Sequence, residues 1–462
     1  MSVRDKASAT GAAPTGGLYR ALWRWHLYAG ILVAPIVLVL AITGLVYLFD
    51  DELSAIIHRD LVEVAQTQDA QPVSAQQAAV LVTYPGARLL QYQAPASQTR
   101  SAIWKIVAAD GKDLTVFVNP HTAQILGHIP AGRSLGEIMV KLHGELMIGP
   151  FGDYLVEFAA CWTFVLLVTG VFLWWPRQSR RVGVAAPRLT AKGRAFWRDL
   201  HAVPSAWNAP VVAFLVLTGL PWSAFWGGTL ASLGTTTSLA GVMAPTPNFH
   251  GAPIAPDPHA AHRGHNAHNG DLDLPWSIRN ADRPTVQPVV RSISIDQVIG
   301  EAAARNMSGP TFKIFYPTAT GEVFTLSHVP AKAEGQRTVY LNPADGAVVD
   351  DIPWSRYSPV GKVVEFGVQT HMGKQFGLAN QLFMAASCVI LAATIIFGLV
   401  MWWKRRPGTR FNQPGPGDGF KTPTPVVAVA IALGVAFPLV GLSMLLVIAI
   451  EISAARVRRR NP

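Results

Sequence analysis

Cysteine is nearly absent from this chain: 462 residues contain only Cys161 and Cys388. Two thiols so far apart give no disulfide framework and no zinc pattern of closely spaced ligands. Both lie inside long apolar runs, where a free thiol behaves as a small hydrophobe. Charge is scarce too, with 14% Asp, Glu, Lys and Arg against 50% hydrophobic residues. That balance excludes an ordinary soluble domain. Acidic residues are the rarer sign, and the net charge is +10. The basic residues form no stripe that could follow a nucleic acid. They cluster beside the apolar runs, as on the cytoplasmic flanks of membrane helices, so lipid is an expected partner and nucleic acid is not. A nucleophile–base set is missing, as is any nicotinamide, flavin or phosphate fingerprint. The Gly-Pro-Gly-Asp-Gly run at 415–419 follows no strand and reads as linker.

Long apolar runs, by contrast, are plentiful. A crossing helix needs about 20 mostly apolar residues, and five segments provide them: 23–49, 153–175, 201–228, 378–403 and 423–450. The first has an uncharged stretch longer than the core of about 7–15 residues in a cleaved leader, so it is expected to remain as a helix. Basic residues set the orientation. Arg4, Lys6 and Arg20 lie in the tail 1–22, with Arg24 just after it. Arg177, Arg180, Arg181, Arg188, Lys192, Arg194 and Arg198 fill the loop 176–200, and Lys404, Arg405, Arg406 and Arg410 open the linker 404–422. These segments are expected to be cytoplasmic, the N-terminus included, with 50–150 and 229–370 outside. The fifth run is awkward. One crossing places Arg456, Arg458, Arg459 and Arg460 of the tail 451–462 outside; Pro438 allows a kink or a re-entrant turn, and a single crossing is the expectation.

Each external segment carries one soluble unit. Ser74-x-x-Gln77 and Ser294-x-x-Gln297 have the spacing of capping boxes that open a helix. Strand-like runs follow at Trp104–Ala108 and Thr115–Val118 in the first unit, and at Phe312–Phe315, Val323–Leu326 and Thr338–Leu341 in the second. Both end in Asn-Pro, at Asn119-Pro120 and Asn342-Pro343. A helix with a small antiparallel sheet is expected for each. The fold class is thus a membrane all-α bundle of about five transmembrane helices, internally duplicated, with two small α+β modules.

The duplication is visible residue by residue. His26, Pro35 and Thr43-Gly44-Leu45 recur 175 positions later as His201, Pro210 and Thr218-Gly219-Leu220. His143, Gly149, Gly170 and Trp174-Trp175 recur 228 positions later as His371, Gly377, Gly398 and Trp402-Trp403. Ionisable side chains are costly in a membrane and mark function by default. Low-spin haem iron takes two axial side chains, often imidazoles, in an apolar pocket. Two histidine pairs, His26 with His201 and His143 with His371, therefore suggest two b-type haems whose iron they ligate. The plain alternative is interfacial histidines bonded to headgroups or backbone; four in duplicate register favour ligation. The tryptophan pairs suit interfacial belts. Gly30, Gly44, Gly170, Gly219 and Gly398 permit close approach of helices or of a flat ring. Between 245 and 270, His250, His259, His262, His265 and His268 form a tract, the last four at three-residue steps. That tract could hold a transition metal as an auxiliary segment. His58, His121, His128 and His328 show no pattern and are expected on the surface.

With Trp23-Arg24-Trp25-His26, Thr43-Gly44-Leu45, Leu142-His143-Gly144, Thr370-His371-Met372-Gly373 and the Trp-Trp-basic helix ends, the chain resembles the PepSY-associated transmembrane family over about 18–452. The second copy departs at its start, where Trp197-Arg198-Asp199-Leu200 stands one residue out of step with His201. The resemblance implies a multi-pass bacterial inner-membrane protein with two periplasmic PepSY modules. Some members are similar to ferric-siderophore reductases that carry two b-type haems. The resulting expectation is a haem b electron-transfer protein that reduces periplasmic ferric siderophore, with a quinol or a redox partner protein as donor. The rival expectations are a non-enzymatic sensor or protease-modulating PepSY protein, and a metal-uptake accessory protein.

Overall fold

The computed structural model describes residues 15–66, 69–175, 183–236, 274–279, 283–288, 291–307, 309, 311–404 and 424–460. The histidine tract at 250–268 lies outside the described residues. Among them the helices are α1 (Thr15–Tyr47), α2 (Asp50–Ile57), α3 (Arg59–Val62), α4 (Val73–Thr83), α5 (Leu135–Glu145), α6 (Pro150–Trp174), α7 (Arg194–Gly219), α8 (Ala224–Thr236), α9 (Trp276–Arg279), α10 (Ile295–Ala304), α11 (Pro359–His371), α12 (Leu378–Trp403), α13 (Thr424–Ala436) and α14 (Pro438–Arg460). The chain divides into two compact units. One holds Met1–Leu38, Phe158–Val216 and Ile390–Pro462; the other holds Val39–Glu157 and Leu217–Val389.

Four helical stretches are long and apolar enough to cross a membrane: Leu22–Tyr47, Pro150–Trp174, Arg194–Trp222 and Leu378–Trp403. At about 1.5 Å per residue, each exceeds a hydrocarbon core of about 30 Å. Cys161 and Cys388 are buried thiols within them, and Trp175 and Trp403 are exposed at helix ends.

The fifth expected span is not one helix. It breaks between α13 and α14, where Pro438 lacks the N–H that would continue the ladder. The chain then folds back. Gly434 and Gly441 touch, and a Cβ on Gly441 would lie 2.5 Å from the Gly434 carbonyl oxygen. Seven residues apart in a straight helix, they would be separated by about two turns, or about 10 Å. Phe437 at the tip packs on Phe164, and Trp162 Nε1 donates to Ser443 Oγ at 3.1 Å. A returning hairpin removes the charge conflict of a single crossing.

In the other unit the two expected sheets are one. Eight antiparallel strands run in the order β4-β3-β2-β1-β5-β6-β7-β8: β1 Arg88–Gln93, β2 Ala102–Val107, β3 Asp113–Val118, β4 Ile125–Pro130, β5 Phe312–Phe315, β6 Phe324–His328, β7 Arg337–Leu341 and β8 Val348–Pro353. Each repeat is a four-stranded meander. The edge strands β1 and β5 join, with Tyr92 opposite Ile314, so neither edge is left with unpaired backbone groups. One core crosses the joint, built from Tyr92, Trp104, Ile106, Val116, Ile314, Leu326 and Val339 under Val80 of α4 and Val298 of α10. The Ser294–Gln297 capping box forms as expected. Ser74 does not cap α4, which starts after Pro72 without a side-chain cap. Its amide and hydroxyl both donate to the Asp296 carboxylate of α10, which ties the two helices together.

The hairpin yields a topological prediction. A reporter fused after Pro462 should read the same side of the membrane as one inserted within 405–423. Opposite sides would show that the last segment crosses once.

Candidate functional site

Two histidine pairs form, one inside each unit, and they pair as the duplication suggests. The His26 and His201 ring centroids are 6.4 Å apart with planes at 77°. Those of His143 and His371 are 6.4 Å apart at 86°.

His26 stands on α1 and His201 on α7. The start of α7 is pinned by Asp199, a buried carboxylate that accepts from Arg188 Nε at 2.6 Å and from Arg198 Nη2 at 2.7 Å. This pairing occupies the stretch that is out of step with the first copy, and His201 still reaches its partner. His143 lies near the end of α5, which opens on a reciprocal Ser134–Glu137 capping box. His371 ends α11, which opens on Ser358, whose hydroxyl accepts from the Gly361 amide at 2.9 Å. After each of these histidines the chain turns into a membrane helix through a left-handed residue, Gly149 at φ 66° and Gly377 at φ 63°. A side chain is strained there, which accounts for this duplicated glycine.

Every ring is held through Nδ1. His26 Nδ1 is 2.9 Å from Thr169 Oγ1, and that hydroxyl donates to the Val165 carbonyl at 2.9 Å. With its single proton committed, the threonine oxygen accepts, and Nδ1 of His26 carries the hydrogen. His143 Nδ1 is 3.0 Å from Thr43 Oγ1, which donates to the Val39 carbonyl at 2.8 Å. His371 Nδ1 is 2.9 Å from Thr218 Oγ1. His201 Nδ1 donates to the Thr394 backbone carbonyl at 2.7 Å, an acceptor only. For His26, His143 and His201 these bonds fix the neutral tautomer with the lone pair on Nε2. Burial in apolar surroundings holds His143 below the usual imidazole range, against a weaker opposing effect of the Leu40 backbone, and so favours that neutral form.

Glycine sits against the adjacent ring carbon. A Cβ would lie 3.1 Å from His26 Cε1 at Gly170, 3.2 Å from His201 at Gly398, 3.3 Å from His143 at Gly44 and 3.9 Å from His371 at Gly219. At three of the four positions, then, any side chain would push the imidazole. The close approach of helices or of a flat ring expected at Gly44, Gly170, Gly219 and Gly398 is here made to an imidazole, tightly at Gly44, Gly170 and Gly398 and in ordinary contact at Gly219.

Among the described residues, no three His, Cys, Asp or Glu side chains gather as metal ligands. Each pair therefore offers two protein donors, and a ligated metal must draw its others from elsewhere. A porphyrin supplies four. A metal–imidazole bond of about 2 Å puts the ring centroid about 3 Å from the metal, so two trans imidazoles have centroids about 6 Å apart. Both pairs match that spacing, and the donor set fits haem.

The PepSY-associated TM region matches residues 23–405. The chain belongs to this family. No curated protein matches it. The match covers both histidine pairs and stops before the α13–α14 hairpin.

The sequence assigns no role to Thr169 or Thr394; Thr43 and Thr218 stand there as repeat markers, and Thr43 also carries the family resemblance. Thr169-Gly170 repeats the Thr-Gly pattern of the other two, which was the available signal. Among the histidines expected on the surface, His121 is buried, with Nε2 2.7 Å from the Gln98 carbonyl oxygen and its amide donating to Asn119. It locks the Asn-Pro turn. His128 is bonded to Tyr84 at 2.9 Å.

One buried acid on α11 lies apart from the pairs. Glu365 accepts from the Ser277 amide at 3.0 Å and from Gln336 Nε2 at 3.2 Å, and desolvation raises its pKa above the usual 4.5. An acid with a raised folded pKa favours the fold most below about 4.5 and loses that contribution as pH rises through the folded value. The melting temperature of Glu365→Gln, relative to the unsubstituted protein, should therefore improve between pH 4 and pH 8. A difference that stays constant would contradict this.

Proposed function

We propose that this membrane protein binds two b-type haems, through His26 with His201 and His143 with His371, and passes single electrons to an external acceptor. The observation that carries the reading is the construction of the two pairs: Nδ1 held in all four rings, Cε1 facing glycine, Nε2 left as the lone-pair donor in His26, His143 and His201, and rings at ligand spacing. Interfacial histidines bonded to headgroups would need neither the spacing nor the common seat.

Haem b, when bound, supplies a reversible one-electron couple. The protein's own part is to keep neutral imidazoles in fixed orientations and to exclude water with apolar helices. Threonine hydroxyls and one backbone carbonyl hold the rings; glycines let them approach. By the distribution of basic residues, the His26–His201 pair belongs to the cytoplasmic side of the inner membrane and the His143–His371 pair to the periplasmic side.

The proposed acceptor is chelated ferric iron of the siderophore type. Hard oxygen chelators hold ferric iron far more tightly than ferrous, so one-electron reduction releases the metal. The resemblance to ferric-siderophore reductases supports this choice. The eight-stranded sheet, read as two joined PepSY modules, is the part of the chain available to meet such a chelate. A quinol or a redox partner protein is the proposed donor, since the sequence carries no nicotinamide or flavin fingerprint.

Purified protein should show a Soret band and a dithionite-reducible α-band, with about two haems per chain by pyridine haemochrome. His143→Ala should retain one reducible haem. A folded, colourless preparation would contradict the reading, and equal loss of both haems from every single histidine variant would contradict separate pairs.

A further inference from the structure

We infer that Glu365 takes up a proton when the site of His143 and His371 receives an electron, and releases it when the electron leaves. The inference rests on the haem reading above and concerns an acid outside both histidine pairs.

The duplication places this acid. Glu137 and Glu365 stand six residues before His143 and His371, in the same register of 228 positions. Six residues before His26 and His201 stand Arg20 and Ala195, so an acid at this place belongs to one pair only. The two acids have different surroundings. Glu137 lies in the first turn of α5 and is committed to its cap, accepting from the Gly132 amide at 2.9 Å and from the Ser134 hydroxyl at 2.8 Å. α11 starts about one turn earlier in the register, which carries Glu365 past the first turn and away from any cap. Its side chain is buried, 2% exposed, and is held by the Ser277 amide of α9 and by Gln336.

Few charges face it. Arg279 of α9 is the cation on this side; it is also attracted by Asp153 of α6 and lies over Trp222 at 4.3 Å. Tyr357, just before α11, acts on Glu365 and is bonded to the Thr338 hydroxyl. Glu334, on the turn Ala333–Gly335 packed against α11, accepts from Gln375 Nε2 at 2.9 Å. The Ser277 hydroxyl is a further donor to Glu365. Desolvation outweighs these partners and raises the pKa above 4.5, so the carboxylate is poised to change charge and is not locked as an ion.

Along α11, Glu365 is about 9 Å from His371. An electron arriving at that ligand, in surroundings of low dielectric, makes the carboxylate charge costlier and the proton tighter. The coupling is reciprocal: a proton on Glu365 eases reduction by the same factor. The electron comes from the quinol or partner protein, and the proton comes from the external solution and forms an O–H bond on the carboxylate. When the electron passes to the chelate, ferric iron becomes ferrous, that O–H bond breaks and the proton returns to solution.

The test is a spectroelectrochemical titration of the full-length purified protein between about pH 5 and pH 9, following the α-band. The midpoint of one component should fall as pH rises, by up to about a tenfold change in the reduction equilibrium per pH unit. That component should be the one missing from His143→Ala. Glu365→Gln should abolish the dependence and hold that midpoint near its acid value, whereas Glu137→Gln should leave the dependence intact. The redox difference infrared spectrum should gain a carboxylic-acid carbonyl band on reduction, absent from Glu365→Gln and displaced in Glu365→Asp. The inference is overturned, while two-haem binding stands, if no component depends on pH, if the dependence survives Glu365→Gln or persists in His143→Ala, if Glu137→Gln removes it, or if no acid band appears. Should Glu365→Gln not fold, the infrared band decides: one that is unmoved in Glu365→Asp overturns the inference. If no haem is bound, both readings fall.

Discussion

The hydrogen bond behind each histidine is the interaction on which the candidate site depends. An imidazole buried among apolar helices has two nitrogens to satisfy, and the way one is bonded decides what the other can do. For His26, His143 and His201, Nδ1 is given to a group already committed to its own helix: a threonine hydroxyl that donates to the carbonyl one turn back, or a backbone carbonyl itself. The helices thus spend no extra buried donor on the ring, and the ring is left with a single tautomer. Without that bond, a neutral histidine could turn over and present either nitrogen.

The rest of the local construction follows from placing such a ring. Glycine must face Cε1, because even a methyl group would intrude at Gly44, Gly170 and Gly398. Capped helices must carry His143 and His371 up to the start of a membrane helix. A left-handed glycine at 149 and 377 must then turn the chain into it. These needs recur in both copies, and the duplicated glycines are those that face a ring or make the turn beside one. The paired sheet obeys a separate constraint: two four-stranded meanders, each with an open edge, bury those edges against one another through β1 and β5.

Much of this was legible in the sequence. Four of the crossing helices, the internal repeat, the histidine pairing and the Ser294 cap follow from apolar length, residue register and capping chemistry. The Ser134 box was equally legible and was overlooked. Other features were not readable locally. β1, β4 and β8 carry weak alternation and are defined by their partners, and the β1–β5 joint links residues more than two hundred positions apart. Ser74 has the spacing of a cap, yet Asp296 from the other repeat takes its hydroxyl. The break at Pro438 was foreseen as an option, but the fold-back depends on Gly434 meeting Gly441, a contact that hydropathy does not report. Thr394 acts through its backbone, so no side-chain motif could have marked it.

The central proposal is that His26 with His201, and His143 with His371, would each hold one haem iron as neutral imidazoles. Near-infrared magnetic circular dichroism of the oxidised, purified protein tests it most directly, because the charge-transfer band reports the axial ligand pair of low-spin ferric haem. The account predicts bis-histidine bands accounting for both haems. A high-spin spectrum, or bands of histidine–methionine or thiolate ligation, would contradict it.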